Sequence, residues 1–516
     1  MTVINPNSIS GITSITMPSG DGNVLTIHTN DGVERFRIDS SGNIKVGSAC
    51  TISPDGDVFF TGVTTATTFT GAHSGSGANL TSLPAAQLTG TLPAISGANL
   101  TGIAATDNVR TGILDVAGIA TFRNDVNIGA AVTISESGIE ASGIGITCAK
   151  INGTQIGGRR NLIVNGAMQI AQRGTTSTTD GYQTVDRFNI NTDGTDEACT
   201  NAQSDVASGT TPYAEGLRKT LKITNGNQTS GAGAADNVVI HYFVEARDMQ
   251  RCGWNYTSSS SFVTLSFYVK SSVAQTYFCR VMTDDGTQQS YPFSFAPTAD
   301  TWTRVIHTIP GNSNLQFDSN TNRGLMIEFA IYRGTDKTGS VTLNQWAAYN
   351  SSARLPDMTS TWYTTNDATF EITGLQLEVG PQATAFEHLS FGEDLASCQR
   401  YFYKTYNYDD APGTATFDGA NQGRNFDPNA ARSAVPLFLN FPVRMRGQPT
   451  LTFYAGDGQS GKYSTGNTVG GTGNTTEKTV GSSVDESETG VYHANFTEDV
   501  PAANFYCFHV TASAEI

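Results

Sequence analysis

SGANLT occupies residues 76–81 and returns at 96–101. Between the copies lies SLPAAQLTGTLPAI, in which Leu83-Pro84-Ala85 is echoed by Leu92-Pro93-Ala94. A longer echo flanks this block: VGSACTIS at 46–53 recurs 82 residues later as IGAAVTIS at 128–135. Self-similarity at a fixed period means that one short unit is built repeatedly. These units are too small and too poor in large apolar groups to bury a core alone. They must stack along an axis or be covered by neighbouring chains. The pattern points to a fibre rather than to an enzyme domain.

The rest of the N-terminal stretch reads the same way. Residues 1–158 hold 23 glycines and five Phe, with no Trp or Tyr. NVLTIHT, ERFRI and NIKVG nearly alternate, and Asn30-Asp31-Gly32 sits between the first two. Asx-Gly pairs tolerate the positive φ of tight hairpin turns, so strand, turn, strand is expected and no helix. Cys50 stands where the echo has Val132 and is expected to serve as a small buried hydrophobe.

Residues 161–390 differ. All four Trp (254, 302, 346 and 362) fall here. Period-two strands are plain. FVTLSFYVK puts Val263, Leu265, Phe267 and Val269 on one face, and GLMIEFAIY does so with Leu325, Ile327, Phe329 and Ile331. GLQLEVG sets Leu375, Leu377 and Val379 against Gln376 and Glu378. This region is large enough for a sandwich core of its own. A helix is expected at about 391–404, opened by a Ser390/Glu393 capping box. Beyond it, PLFLNFPV, PTLTFYA and NFYCFHVT read as strands, and 407–434 and 457–490 as long polar loops. The fold class is therefore all-β. Three regions are expected: 1–158 for attachment and a repetitive shaft, 159–405 for a β-sandwich ending in a short helix, and 406–516 for a C-terminal β head.

Composition narrows the function. The net charge is −16, so nucleic acid is a poor partner, since phosphate binding needs clustered Lys and Arg. No apolar run approaches the ~18 residues of a membrane-spanning helix. The N-terminal MTVINPNSIS has neither a basic nor a long apolar segment, so synthesis in a cytoplasm without membrane insertion is expected. The seven cysteines lack CxxC spacing and are expected to be reduced.

No motif marks a reaction. GxSxG, HExxH, CxxC and Walker A patterns are missing, and the single GxGxxG match (Gly456, Gly458, Gly461) precedes no helix. The seven His are scattered, and the pairs Asp284-Asp285 and Asp409-Asp410 read as solvated turns before they read as calcium ligands. The expectation is no catalytic residue, no metal and no cofactor. Aromatic rings stack on sugar C–H faces while their polar tips hydrogen-bond. For Trp254, Tyr256, Trp346, Tyr349, Trp362 and Tyr363, packing is the default role. Binding residues concentrate on loops, which directs attention to Tyr463 and Tyr492 at the ends of the 457–490 region, and to Tyr406 and Tyr408. These four are the candidate ligand contacts.

Several strings resemble a known family. TGTLPAISGANLTGI, TGVTTATTFTGA and AGIATFRNDVNIGAAVTIS are similar to the repeated shafts of tail-fibre proteins from tailed phages, especially those of marine cyanobacteria. NLIVNGAMQIAQRGTT (161–176), GYQTVDRF (181–188), and ITGLQLEVG with TAFEHLSFGEDLASCQRYF (372–402) resemble the opening and close of a domain common in such proteins. FPVRMRGQPTLTFY (441–454) resembles a strand pair of their C-terminal region. The resemblance implies a jelly-roll-like middle domain similar to carbohydrate-binding modules. It also implies a homotrimeric fibre joined to tail or baseplate proteins by its N-terminal region. Symmetry about the shaft independently covers exposed strand edges. The leading expectation is a non-enzymatic virion tail fibre that attaches to a host cell-surface polysaccharide. A purely structural baseplate or decoration protein and a glycan-degrading tailspike are the alternatives.

Overall fold

The computed structural model describes residues 24–68, 70–71, 160–467 and 476–516, with five short strands between 126 and 155. The two SGANLT copies lie outside the described residues. The chain divides into two compact units, Met1–Thr121 and Phe122–Ile516.

In the first unit, Leu25–His28, Glu34–Ile38, Ile44–Val46, Cys50–Ile52 and Val58–Phe60 form an antiparallel meander. The expected turn is there, with Gly32 at φ 76°. Among the described residues the sheet is one layer thick, and Ile27, Val46, Phe59 and Phe60 are each about half exposed. Cys50 is only partly buried rather than core.

The 82-residue echo folds alike in both places. In the first copy Val46 pairs with Cys50, Lys45 with Thr51 and Ile44 with Ile52. In the second, Ile128 pairs with Val132, Asn127 with Thr133 and Val126 with Ile134. A third strand follows each hairpin, Val58–Phe60 in one and Gly138–Ala141 in the other. The sequence repeat is thus a repeat of strand register.

Residues 176–379 build two six-stranded antiparallel sheets, and the three stretches with apolar alternation are strands of them. One sheet runs Thr176–Ser177, Thr200–Asp205, Lys219–Thr224, Thr369–Val379, Phe262–Ser271, Thr303–Pro310. The other runs Phe188–Asp193, Asn237–Glu245, Arg323–Arg333, Tyr277–Thr283, Gln289–Phe295, Ala347–Ala348. Successive strands cross repeatedly between the sheets, as in a jelly roll. Leu265, Phe267, Ile327, Phe329, Leu375 and Leu377 fill the space between them, together with Trp254 and Trp362. Gly374 interrupts its strand at a bulge, where Ser266 pairs with Gln376 and Tyr268 with Thr373. Its φ is +63° and a Cβ would lie 2.6 Å from Leu217 Cδ1, so only glycine fits.

The outer face of the second sheet is covered by the chain itself. Leu343, Leu355 and Met358 pack on Val239, Phe278 and Ala330. Tyr182, Tyr349 and Ile516 pack on Phe243, Met282 and Met326.

The capping-box helix begins as expected but runs only Phe391–Gln399. Phe402–Lys404 is a strand instead, drawn into the C-terminal sheet by pairing with Thr511–Ser513. That sheet has eight strands, and the last, Phe505–Ser513, pairs with four of them. The polar stretch 457–490 is not a long loop. Lys462–Gly466 and Thr476–Ser487 pair with each other, and Thr476–Ser487 then pairs with Gly490–Val500. Thr and Ser suit a half-exposed pleated surface, which composition alone reads as loop. Asn421–Arg424 likewise forms a strand inside the expected 407–434 loop.

His307 gives this fold an acid-sensitive point. Its ring stacks on Phe293 at 3.9 Å, and its Nε2 is buried without a partner. Burial pushes its pKa down from 6.5 to about 4. The folded state therefore favours the neutral ring. Stability from this source is full above pH 6.5 and is lost as pH falls from there towards 4. His307→Phe is expected to flatten the pH 7 to pH 5 drop in the denaturation midpoint relative to the native chain. His509, also depressed by burial, titrates equally in both proteins. Parallel curves for the two proteins would clear His307.

Candidate functional site

The strings that open and close the sandwich meet in one hydrogen-bonded hub. Asn161 donates to the Leu375 carbonyl at 3.1 Å and accepts from the Ile163 and Leu377 amides. Asn165 donates to the carbonyls of Ile170 and Asp186, and its own amide donates to Asp394 at 3.0 Å. Glu387 accepts from the amides of Arg160 and Asn161 at 2.8 and 2.7 Å. Gly166 approaches so closely that a Cβ would fall 2.1 Å from the Leu375 carbonyl. Buried backbone groups demand partners, and these side chains supply them where no strand can. Glu387 and Asp394 are thereby held as structural acceptors.

Two hollows flank this hub. One, of about 260 Å³, is lined by residues including Asn161, Asn165, Gln169, Arg218, His388 and Phe391. The other, of about 450 Å³, is lined by Gln169, Gln172, Gln203, Lys219, Tyr408, Asp409 and Phe391 among others. They share Gln169 and Phe391. Phe391 is the first residue of its helix and is 51% exposed. The Tyr408 ring meets it edge-on at 5.0 Å. Tyr408 is itself fixed, accepting from the Ala171 amide at 3.0 Å and donating to the Gln169 carbonyl at 3.2 Å. Burial pushes its phenol up to about 12. Lys404 donates to the carbonyls of Tyr408 and Asp410 at 2.7 and 2.6 Å, and burial lowers its pKa to about 8. An exposed apolar ring beside two polar hollows offers a face on which a sugar C–H surface can stack.

The four candidate tyrosines are not brought together. Tyr408 lines the second hollow. Tyr492 is exposed as expected, its hydroxyl 2.7 Å from that of Thr489, but it lines neither hollow. Tyr463 is fully buried, not exposed: it stacks on Phe496 at 3.8 Å and donates to the Glu498 carbonyl. Its strand, Lys462–Gly466, supplies the C-terminal core rather than an exposed loop. Tyr406 is buried too, stacked on His509 at 3.7 Å. Phe391 escaped the sequence reading. It shares helical spacing with Leu395 and with buried Cys398, so periodicity assigns it to the core. Among the described residues, no three His, Cys, Asp or Glu side chains converge as metal ligands.

No family model matches the chain, and no curated protein resembles it in sequence. Among solved structures, the enzymatically active domain of tailspike protein 4 from bacteriophage CBA120 matches 42% of this chain at 8% identity, with a TM-score of 0.24. The match spans 21% of the tailspike chain, about a fifth of its length. A putative sugar-binding protein from Bacteroides thetaiotaomicron matches 42% of this chain and 99% of its own, at 12% identity and TM-score 0.24. The N-terminal cellulose-binding domain of Cellulomonas fimi β-1,4-glucanase C matches 42% and 99%, at 12% and 0.21. At such identities and scores these likenesses decide neither ligand nor reaction.

Proposed function

We propose that the chain is a non-enzymatic component of a virion tail fibre that holds the particle to a host cell-surface polysaccharide. The observation that carries this reading is the exposed Phe391 ring set between two polar hollows beside the sandwich. The repeated hairpin register and the resemblance of the quoted strings to phage fibres support the virion context. In this reading the N-terminal region joins tail or baseplate proteins and three chains wind together, so that weak saccharide contacts add by multivalency.

The test is binding of purified, labelled full chain to host cells and to cells stripped of surface polysaccharide. Phe391→Ala is expected to weaken binding to isolated polysaccharide about tenfold, the worth of one lost stacking contact. The Ser390/Glu393 capping box leaves the helix intact. Binding that ignores the polysaccharide, or ignores Phe391, overturns the reading. Release of reducing ends from the polysaccharide would replace it with a depolymerase. A purely structural virion role is favoured by the hub itself, whose polar groups are spent on holding strands, and predicts no cell binding at all.

A further inference from the structure

We infer that a second groove, on another side of the Phe391–Gln399 helix, receives an acidic saccharide by its carboxylate or sulfate group. The inference rests on the glycan reading above and names the sugar class. The groove has a volume of about 560 Å³. Its walls come from the short helix Ala246–Arg251, from Ala396, Ser397 and Arg400, and from Val443 and Arg444 of the C-terminal domain.

Four arginines line it in a chain of net charge −16: Arg247, Arg251, Arg400 and Arg444. Two are committed. Arg400 grips Glu245 through Nε and Nη2 at 2.7 and 2.8 Å, and the Tyr401 hydroxyl donates to the same carboxylate. Arg444 pairs with Glu488 at the rim. Asp248 also lines the groove. Arg247 and Arg251 lie one helical turn apart, on one face. Arg247 Nε is buried without a hydrogen-bond partner, and Arg251 is exposed. An anion in the groove would make charge-assisted hydrogen bonds to the guanidiniums, which are stronger than neutral ones. Guanidinium forks match a pair of oxygens of a carboxylate or sulfate bidentately. The surrounding negative charge rejects long polyanions such as nucleic acid and leaves room for one acidic unit.

The test measures affinity of the full chain for a galacturonic acid hexamer, a sulfated galactose hexamer, a neutral galactose hexamer and inorganic sulfate. At least one acidic hexamer is expected to bind at least roughly tenfold tighter than the neutral one, with the advantage shrinking in high salt. Which acidic hexamer wins separates carboxylate from sulfate. Arg251→Ala, at an exposed position, is expected to remove most of that advantage, and Arg247→Ala with Arg251→Ala the remainder. Should the double variant not fold, Arg251→Glu serves, with acidic binding reversed to below neutral. Equal affinity for acidic and neutral hexamers overturns the inference, as does an advantage that survives Arg251→Ala. Inorganic sulfate matching the hexamers overturns the saccharide assignment. Phe391→Ala keeps the two sites apart: the acidic preference is expected to persist in it, and its disappearance would overturn the groove as its seat.

Discussion

Glu328→Ala is expected to destabilise the sandwich by about 3–5 kcal/mol, the loss typical of removing one partner from a buried ion pair. Glu328 is fully buried on the outer side of its sheet, under the chain's own cover. Its Oε2 accepts from Arg280 and Arg333 at 2.7 and 2.9 Å and lies 3.1 Å from His241 Nε2. Burial alone would push its pKa up, but the two guanidiniums outweigh that and hold it well below the usual carboxylate range. By sign, this stability is full above the unfolded value near 4.5 and is lost as pH falls below it. Arg280 and Arg333 are 2% and 4% exposed, so alanine leaves two uncompensated charges in the interior. Urea denaturation at pH 7, followed by tryptophan fluorescence, reads the sandwich because Trp254 and Trp362 sit in its core. A loss under about 1 kcal/mol, the range of exposed pairs, would show that water reaches the cluster.

Glu515→Ala is expected to cost a similar amount, about 3–5 kcal/mol, by a different route. Glu515 joins the last strand to the sandwich through Arg173 at 2.9 Å and through Arg187. Arg187 is 1% exposed, donates to the Phe243 carbonyl at 2.8 Å, and lies over the Tyr401 ring at 3.5 Å. Arg446 adds donors to the carbonyls of Thr321, Ala514 and Glu515. These contacts tie the C-terminal part of the chain to the sandwich. The variant should therefore separate a C-terminal transition from that of the sandwich, and two-state treatment should fail for it. Faster proteolysis within 406–516, together with a lowered sandwich fluorescence midpoint from the uncompensated Arg187, is the expected signature. A variant that melts in one step with the native midpoint would mean the two parts are joined elsewhere.

The sandwich was legible because burial on one face writes a period of two: Val263, Leu265, Phe267 and Val269 point inward as their spacing requires. Gln376 and Glu378 were legible only as the other face. Nothing local says that this face is itself buried, under the chain that carries Thr384 and Ala385. The helix start was legible from Ser390 and Glu393, but its end was not, because pairing to a strand more than a hundred residues away decided it. The same distance hid Tyr463: Ser and Thr around it signal loop, and only cross-strand partners make them sheet. Phe391 was illegible for the opposite reason, since its spacing fits a core it does not enter. The hub around Asn161, Asn165 and Asp394 could be seen as strings of residues, but not as a set of acceptors and donors until the ends of the domain were brought together.

Apolar area still in contact with water contributes nothing to folding. A five-stranded sheet with Ile27, Val46, Phe59 and Phe60 half in solvent therefore holds its shape mainly by ladder hydrogen bonds and turns. In the proposed fibre, burial of those side chains would come only when copies meet. Order in that part of the chain would then obey mass action, and dilution would loosen it while leaving the sandwich untouched.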